Sequence, residues 1–249
     1  MLTIDPERLE LRPGMTALDA GCGQGRHSLE LLRRGCRPCA VDVNPDDLRY
    51  ARYLLADLAR QQFAEAAERT PDAYPPLPFV VLRGNAERLP FPTASFDRVL
   101  CSEVLEHVRD PQGATAELVR VLKPGGLLAV SVLTPVTEWG YRFGSDDYFN
   151  SPGGHVRIFT FPALRRLLAE QGLEVVDLHF EHAFHSVYWW VRCVFGLHAE
   201  QHPAIRHFKK VLTHAMFSPQ LTRAERWMNW LLPKSMVVYA VRRRDNALN

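Results

Sequence analysis

The chain has 249 residues, 47% apolar and 23% charged, the balance of a folded globular protein and not of a disordered one. Lys and Arg number 30 against 28 Asp and Glu, and a net charge of +2 gives no basic field for nucleic acid. Five cysteines in a chain this long predict reduced thiols and a cytoplasmic setting, the first residues carry no signal pattern, and no apolar run reaches the ~18 residues of a transmembrane segment.

From Thr16 the chain alternates short apolar runs with helical segments, the rhythm of βα units around a parallel sheet. Thr16 to Ala20 is predicted as the first strand. A helix follows, with Leu29, Leu31 and Leu32 on its apolar side and Gly35 as its stop. Pro38 to Val43 forms the second strand. A long helix begins near Pro45, where Leu48, Ala51, Leu54, Leu55, Leu58 and Phe63 recur at helical spacing. The proline-rich run from Thr70 to Pro78 cannot remain helical and must be a surface connection. Phe79–Leu82, Phe96–Cys101, Leu127–Leu133 and Leu173–Phe180 supply strands three to six, and Ser235–Val241 a seventh. A helix before strand five stops at Leu122-Lys123-Pro124-Gly125-Gly126, and another spans Phe161–Gln171. Thr134 to Thr160 is expected to be loop-rich. Residues 182–234 form an insertion holding four of the five tryptophans and six of the ten histidines. The expected architecture is α/β: a single domain over 1–249 with a doubly wound, mostly parallel seven-stranded sheet and an antiparallel last strand. Its core covers about 14–181 and 235–244, and a helical, aromatic-rich insertion precedes the last strand.

Leu18-Asp19-Ala20-Gly21-Cys22-Gly23-Gln24-Gly25 lies where strand one turns into helix one. Alternate glycines allow a sharp turn and a close ligand approach, and the following helix offers unpaired N–H groups. The dinucleotide fingerprint would place its third glycine at position 26, which is Arg26. Asp19 would repel a pyrophosphate and suits a ligand ammonium. Asp42 ends strand two, at the distance from the turn where an acid accepts hydrogen bonds from both hydroxyls of a ribose. An aspartate there can also cap the helix that starts at Pro45.

These runs, with Gly84-Asn85-Ala86-Glu87-Arg88-Leu89-Pro90-Phe91, Ser95-Phe96-Asp97-Arg98-Val99 and Leu122-Lys123-Pro124-Gly125-Gly126, resemble the class I S-adenosylmethionine-dependent methyltransferases. The nearest likeness is to the ubiquinone and menaquinone biosynthesis subgroup, over about residues 14 to 180. The resemblance implies S-adenosylmethionine as cofactor. Gly21 and Gly23 would then pass under its methionine part, with Cys22 and Gly25 in the same cofactor-binding turn and Asp19 near the amino group. Asp42, beside Val43, would bind the ribose, Asn85 and Ala86 the adenine, and Cys101 and Ser102 would flank the methionine. The acceptor expected here is a small, apolar molecule such as an isoprenoid, quinone precursor, lipid or natural product, which the aromatic runs of the insertion would suit.

Methyl transfer needs a base only when the acceptor must lose a proton. His155, in Gly153-Gly154-His155-Val156-Arg157, is the candidate, although it could equally be a structural histidine. Ser102-Glu103-Val104-Leu105-Glu106-His107-Val108 resembles a run in ubiquinone O-methyltransferases that can hold Mg²⁺; the alternative, preferred here, is that Glu106 and His107 brace a helix and no metal is bound. The insertion histidines lack tight ligand spacing. Cys36 and Cys39 have redox-like spacing but the wrong placement for a redox pair. Arg242-Arg243-Arg244 is expected to be a solvated strand end, with a peripheral membrane or phosphate contact as the alternative. Tyr188-Trp189-Trp190 and Trp227-Met228-Asn229-Trp230 would line an acceptor pocket or pack the insertion onto the sheet. If the last two strands form an antiparallel hairpin, the insertion is expected to leave strand six at the edge away from the cofactor, so a lid would require helices of 15 to 20 residues crossing back. An RNA or protein methyltransferase and a non-catalytic cofactor-binding scaffold are the competing functions. An Asn/Asp-Pro-Pro-aromatic run, typical of nucleic-acid amino methylation, is replaced here by Cys101-Ser102-Glu103-Val104.

Overall fold

The computed structural model describes residues 2–67, 78–144, 155–195, 201–215 and 218–244. The connection at 70–77, Gly153, Gly154 and His198 lie outside them. In chain order the elements are β1 (Thr16–Ala20), α1 (Arg26–Arg33), β2 (Arg37–Asp42), α2 (Pro45–Ala67), β3 (Val80–Arg83), β4 (Phe96–Ser102), α3 (Pro111–Val121) and β5 (Leu122–Leu133). There follow α4 (Pro135–Gly144), α5 (Phe161–Glu170), β6 (Leu173–Glu181), α6 (Ala183–Phe195), α7 (Pro203–Ala215), α8 (Pro219–Met228) and β7 (Ser235–Arg242). The strands form one sheet in the order β3-β2-β1-β4-β5-β7-β6. Only β7 is antiparallel, to β5 on one side and β6 on the other. The expected α/β class and seven-stranded sheet are therefore present.

Both sheet faces are covered, which is why most strands are apolar on both sides. On one face Leu118 of α3 and Leu164 and Leu168 of α5 pack against Leu18, Val99, Val130 and Val238. On the other, Ile4 and Leu9 of the N-terminal segment join Leu31, Leu100 and Tyr239. The Asp5 N–H donates to the Tyr239 hydroxyl at 2.8 Å, so this segment is tied to the middle of β7. Leu48, Leu55 and Ala59 of α2 meet Leu32 of α1 and Val81 of β3. All five cysteines are free and buried. No described helix is long and apolar enough to cross a membrane.

Three expectations about the elements and their connections change. The run Leu122–Gly126 is not only a helix stop but the irregular start of β5: Leu122 pairs with Phe96 and Leu127 with Arg98, and the residues between them bulge. Part of Thr134–Thr160 is helical, because Pro135 stands at the start of α4, where its missing N–H costs nothing. Most important, the insertion leaves and returns at the carboxyl edge. Glu181 at the end of β6 lies opposite Ser235 at the start of β7, and Ser235 lies opposite Leu133 at the end of β5. Reversing β7 while β6 stays parallel puts the connection on the same side as the glycine turn. No crossing helix is needed, and α6, α7 and α8 have only 13, 13 and 10 residues.

The insertion is rooted by a buried polar knot. Thr134 and Thr137 hydroxyls donate to the Pro233 carbonyl at 2.6 and 2.7 Å, and Thr137 Oγ1 lies 3.2 Å from Ser186 Oγ. Arg242 is no solvated strand end: its guanidinium donates to the carbonyls of Val119 and Leu122, closing the C-terminus of α3.

Candidate functional site

Gly21, Gly23 and Gly25 all have positive φ, of 75°, 50° and 81°. The Gly21 and Cys22 N–H groups both donate to the Val41 carbonyl, at 2.7 and 3.0 Å, which pins the turn to the end of β2. A Cβ on Gly21 would lie 2.2 Å from a Val104 methyl, and one on Gly25 2.9 Å from Ala51. One on Gly23 would meet nothing within 4 Å. Two glycines thus permit close packing, and the middle one borders open space.

Asp19 is buried. Its Oδ2 accepts from the Ser28 N–H at 3.0 Å and the Ser28 hydroxyl at 2.6 Å. Gly25 is the N-cap of α1 and offers no capping side chain, so Asp19 supplies that contact from β1. Its Oδ1 is sealed from solvent with no partner. Burial pushes this carboxyl up to about 6, against the pull of Ser28 and Arg26. Asp42 divides its oxygens: Oδ2 accepts from Gly23 N–H and Oδ1 from Asn44 N–H, each at 2.8 Å. The orphaned Asp19 Oδ1 and the open face at Gly23 fit an ammonium-bearing ligand laid over the turn.

The other expected contacts differ in character. Asn85 is exposed and folds on itself, accepting from Glu87 N–H and donating to the Glu87 carboxylate, both at 3.0 Å. Ala86 is buried and Val43 is 59% exposed. Cys22 is buried within the turn. Cys101 has its side chain in the core, so only its backbone can face a ligand. The Ser102 hydroxyl is 2.9 Å from that of Ser131, a cross-strand contact between β4 and β5.

Beyond β4, the structure separates Glu103 from Glu106 and His107. Both Glu103 oxygens accept from Lys234 Nζ at 2.9 Å, and Oε1 also accepts from the Ser235 hydroxyl. Burial alone would raise this carboxyl, but the ammonium and the hydroxyl outweigh it and hold it at about 2. Glu106 has no partner in another residue for either oxygen, and burial lifts it to about 7, with Glu103 and Glu138 adding repulsion.

His155 joins this group. Its Nδ1 lies 2.5 Å from Oε1 of Glu138, a buried residue of α4. Burial opposes protonation of the imidazole, yet the Glu138 contact and charge, with those of Glu106 and Glu103, raise it. The His107 ring stands edge-on to His155 at 4.6 Å between centroids. Donor atoms of Glu106, His107 and His155 fall within 4.8 Å of one another, whereas Glu103 is taken up by Lys234. The arrangement is an imidazole oriented by a buried carboxylate, able to take a proton at the carboxyl edge of the sheet. Nothing in the spacing of the sequence pointed to Glu138 or Lys234, since each meets its partner only through the tertiary fold.

The aromatics of the insertion divide. Tyr188, Trp189 and Trp190 are half-buried, and Arg192 stacks over the Trp189 ring at 4.8 Å. Trp227 and Trp230 are 81% and 76% exposed and line an outer groove with Arg223 and Arg226. They therefore cannot line an internal acceptor pocket.

Sheet order, reversed β7 and the glycine turn define a Rossmann-like fold of the methyltransferase type. A family model described as a methyltransferase domain matches residues 18–130. The chain is 33% identical over 183 residues to a ubiquinone biosynthesis O-methyltransferase of Xanthomonas euvesicatoria pv. vesicatoria, covering 69% of this chain and 67% of that protein. It is 36% identical over 121 residues to a malonyl-[acyl-carrier protein] O-methyltransferase of Serratia marcescens, covering 49% of this chain and 39% of that one. Several such curated relatives are matched over less than half of their own length. A solved S-adenosylmethionine-dependent methyltransferase of Methanosarcina mazei superimposes with a TM-score of 0.58 at 20% identity, over 98% of this chain and all of that one. The chain belongs to the S-adenosylmethionine-dependent methyltransferases, and S-adenosylmethionine is the cofactor of that family.

Proposed function

We propose that the chain transfers the methyl group of S-adenosylmethionine to an oxygen of a small, largely apolar acceptor. The observation that carries the oxygen acceptor is the Glu138–His155 pair, a base held at 2.5 Å by a buried acid on the edge where the glycine turn opens. Bound cofactor supplies an electrophilic methyl on a sulfonium. The protein's part is to seat it and to accept a proton. Gly23 leaves room for it, Asp19 Oδ1 accepts from its ammonium, and Asp42 takes the ribose hydroxyls. Asn85 and Ala86 border the adenine. Nδ1 of His155 faces Glu138, so Nε2 is the atom that takes the hydroxyl proton of the acceptor, with Glu138 stabilising the resulting imidazolium.

The half-buried Tyr188, Trp189 and Trp190 of α6 supply aromatic surface suited to such an acceptor, in a lid made of 182–234 together with α4. The printed names of the two curated relatives, both O-methyltransferases, favour an oxygen acceptor, and a hydroxyl is the one that has a proton for His155 to take, since a carboxyl is already ionised at neutral pH.

The test is mass detection of methylated product and demethylated cofactor with a panel of prenylated phenols, catechols and acyl carboxylates. At least one is expected to turn over, and His155→Asn is expected to lower kcat by ~10²–10⁴-fold with cofactor affinity intact. Cofactor binding without turnover of any acceptor would favour a scaffold, and an unchanged kcat in the variant would remove His155 from the mechanism.

A further inference from the structure

A second cluster stands where the insertion is anchored. His182 follows the last residue of β6, His185 lies in the first turn of α6, and Glu225 comes from α8. One donor atom from each lies within 4.8 Å of the other two. Three atoms here, His182 Nδ1, His185 Nδ1 and Glu225 Oε1, are sealed from solvent and have no hydrogen-bond partner. Unmet polar atoms in an interior are costly one at a time, and three of them in one cluster of neighbouring side chains call for a common explanation.

Capping accounts for part of the arrangement and leaves the rest open. The Glu225 carboxylate accepts from the Phe184 N–H, and Asn229 Oδ1 accepts from the Ala183 N–H at 2.9 Å. These contacts satisfy two N–H groups at the start of α6, but they leave Oε1 unused. A direct Glu–His hydrogen bond is absent from this group. Donors ~2.0–2.2 Å from a tetrahedral cation lie roughly 3.4 Å apart, and one donor atom from each of these three residues lies within 4.8 Å of the other two.

The surroundings prepare both imidazoles. His182 Nε2 lies 3.3 Å from Thr3 Oγ1, which also accepts from Arg26 at 2.9 Å. With its hydrogen on Nε2, His182 donates to that oxygen and keeps a bare lone pair on Nδ1, the outer contact typical of a histidine ligand. Burial disfavours the charged form of both imidazoles. His182 also holds a φ of +69°, a strained conformation for a residue with a β-carbon.

We propose that His182, His185 and Glu225 bind one divalent cation of the zinc class. Two imidazole nitrogens with one carboxylate oxygen suit Zn²⁺ or Co²⁺ and not Mg²⁺, which takes oxygen ligands. The cation ties α6 and α8 to the end of β6 and, through His182 and Thr3, to the N-terminal segment. It is a latch for the insertion and does not depend on which acceptor is methylated.

Chelator-stripped protein titrated with Co²⁺ and with Zn²⁺ tests this, followed by calorimetry and by the visible absorption of bound Co²⁺. Wild type is expected to take one cation per chain at micromolar strength or tighter, with the strong absorption of a low-coordinate Co²⁺ site and a raised Tm. Glu225→Gln keeps the shape and the cap to Phe184 and is expected to weaken binding at least tenfold; His185→Ala is expected to do the same. His182→Asn, a residue that tolerates positive φ, gives a third readout should His185→Ala fail to fold. His107→Asn, in the other cluster, is expected to leave this affinity unchanged. The proposal is overturned by absence of stoichiometric binding to wild type, by binding that survives Glu225→Gln and His182→Asn, or by binding lost only in His107→Asn.

Discussion

Gly21 and Gly23 share a turn and a left-handed backbone, yet a β-carbon would find opposite surroundings at the two positions. Gly21→Ala combines a clash with Val104 and backbone strain, so a loss of roughly 2–4 kcal/mol in urea unfolding is expected. Val104→Ala should restore part of it. Gly23→Ala carries strain alone, about 1–2 kcal/mol, but places a methyl in the open space assigned to the cofactor. Calorimetry is expected to show cofactor affinity reduced at least tenfold. Asp42→Ala should weaken the same binding by roughly 2–3 kcal/mol. Equal affinity in Gly23→Ala and wild type would mean that the ligand does not lie over the turn. The sequence disclosed the three glycines and both acids, because residue type and spacing carry that information. It did not disclose which glycine borders open space, since Val104 and Ala51 approach from other elements.

At the scale of elements, the Glu103–Lys234 pair joins the end of β4 to the residue before β7. The side chains are 23% and 15% exposed, so the pair lies between a surface bridge and a fully buried one. Glu103→Gln leaves the ammonium without its counter-charge, and a loss of about 1–3 kcal/mol is expected. The pH dependence has a definite sign. The carboxyl is held below its ordinary 4.5, at about 2, so its contribution is complete above pH 4.5 and disappears as pH falls towards 2. Glu106 is raised to about 7, so its contribution is complete below 4.5 and is lost as pH rises through 7. Urea midpoints across pH 2–8 should therefore decline at both ends, and Glu103→Gln should flatten the acid limb only. Strand existence and most boundaries were legible because apolar runs end at Gly, Pro or Asp. Helix α4 was not: Gly140 and Gly144 suggested a loop, and its start is stabilised instead by the Thr134, Thr137 and Pro233 contacts.

For the whole molecule, the proposed proton transfer depends on two segments meeting: α4 brings Glu138, and the stretch before α5 brings His155. If His155 is the base, kcat/KM should rise with its deprotonation, along a limb lying above the ordinary 6.5 because the fold raises this imidazole. Glu138→Gln removes the charge responsible, so the limb should move to lower pH while kcat falls. A limb that stays in place would detach Glu138 from His155. This pairing was hidden in the sequence, as was the approach of Glu225 to His182 and His185, because both depend on which edge the connections use. A single misplaced strand direction was enough to send 182–234 to the wrong end of the sheet.

The opposition of Glu181 and Ser235 has a further consequence. Two paired strand ends are one tight hairpin apart, so everything between them is a cassette whose removal or exchange leaves the sheet's hydrogen-bond ladder unbroken. The cofactor half of the molecule, built from β1 to β4, contributes no strand residue to that cassette. Selection can therefore rewrite the segment proposed to face the acceptor while the strands proposed to seat the cofactor stay as they are, which is how one scaffold can serve many chemical clients.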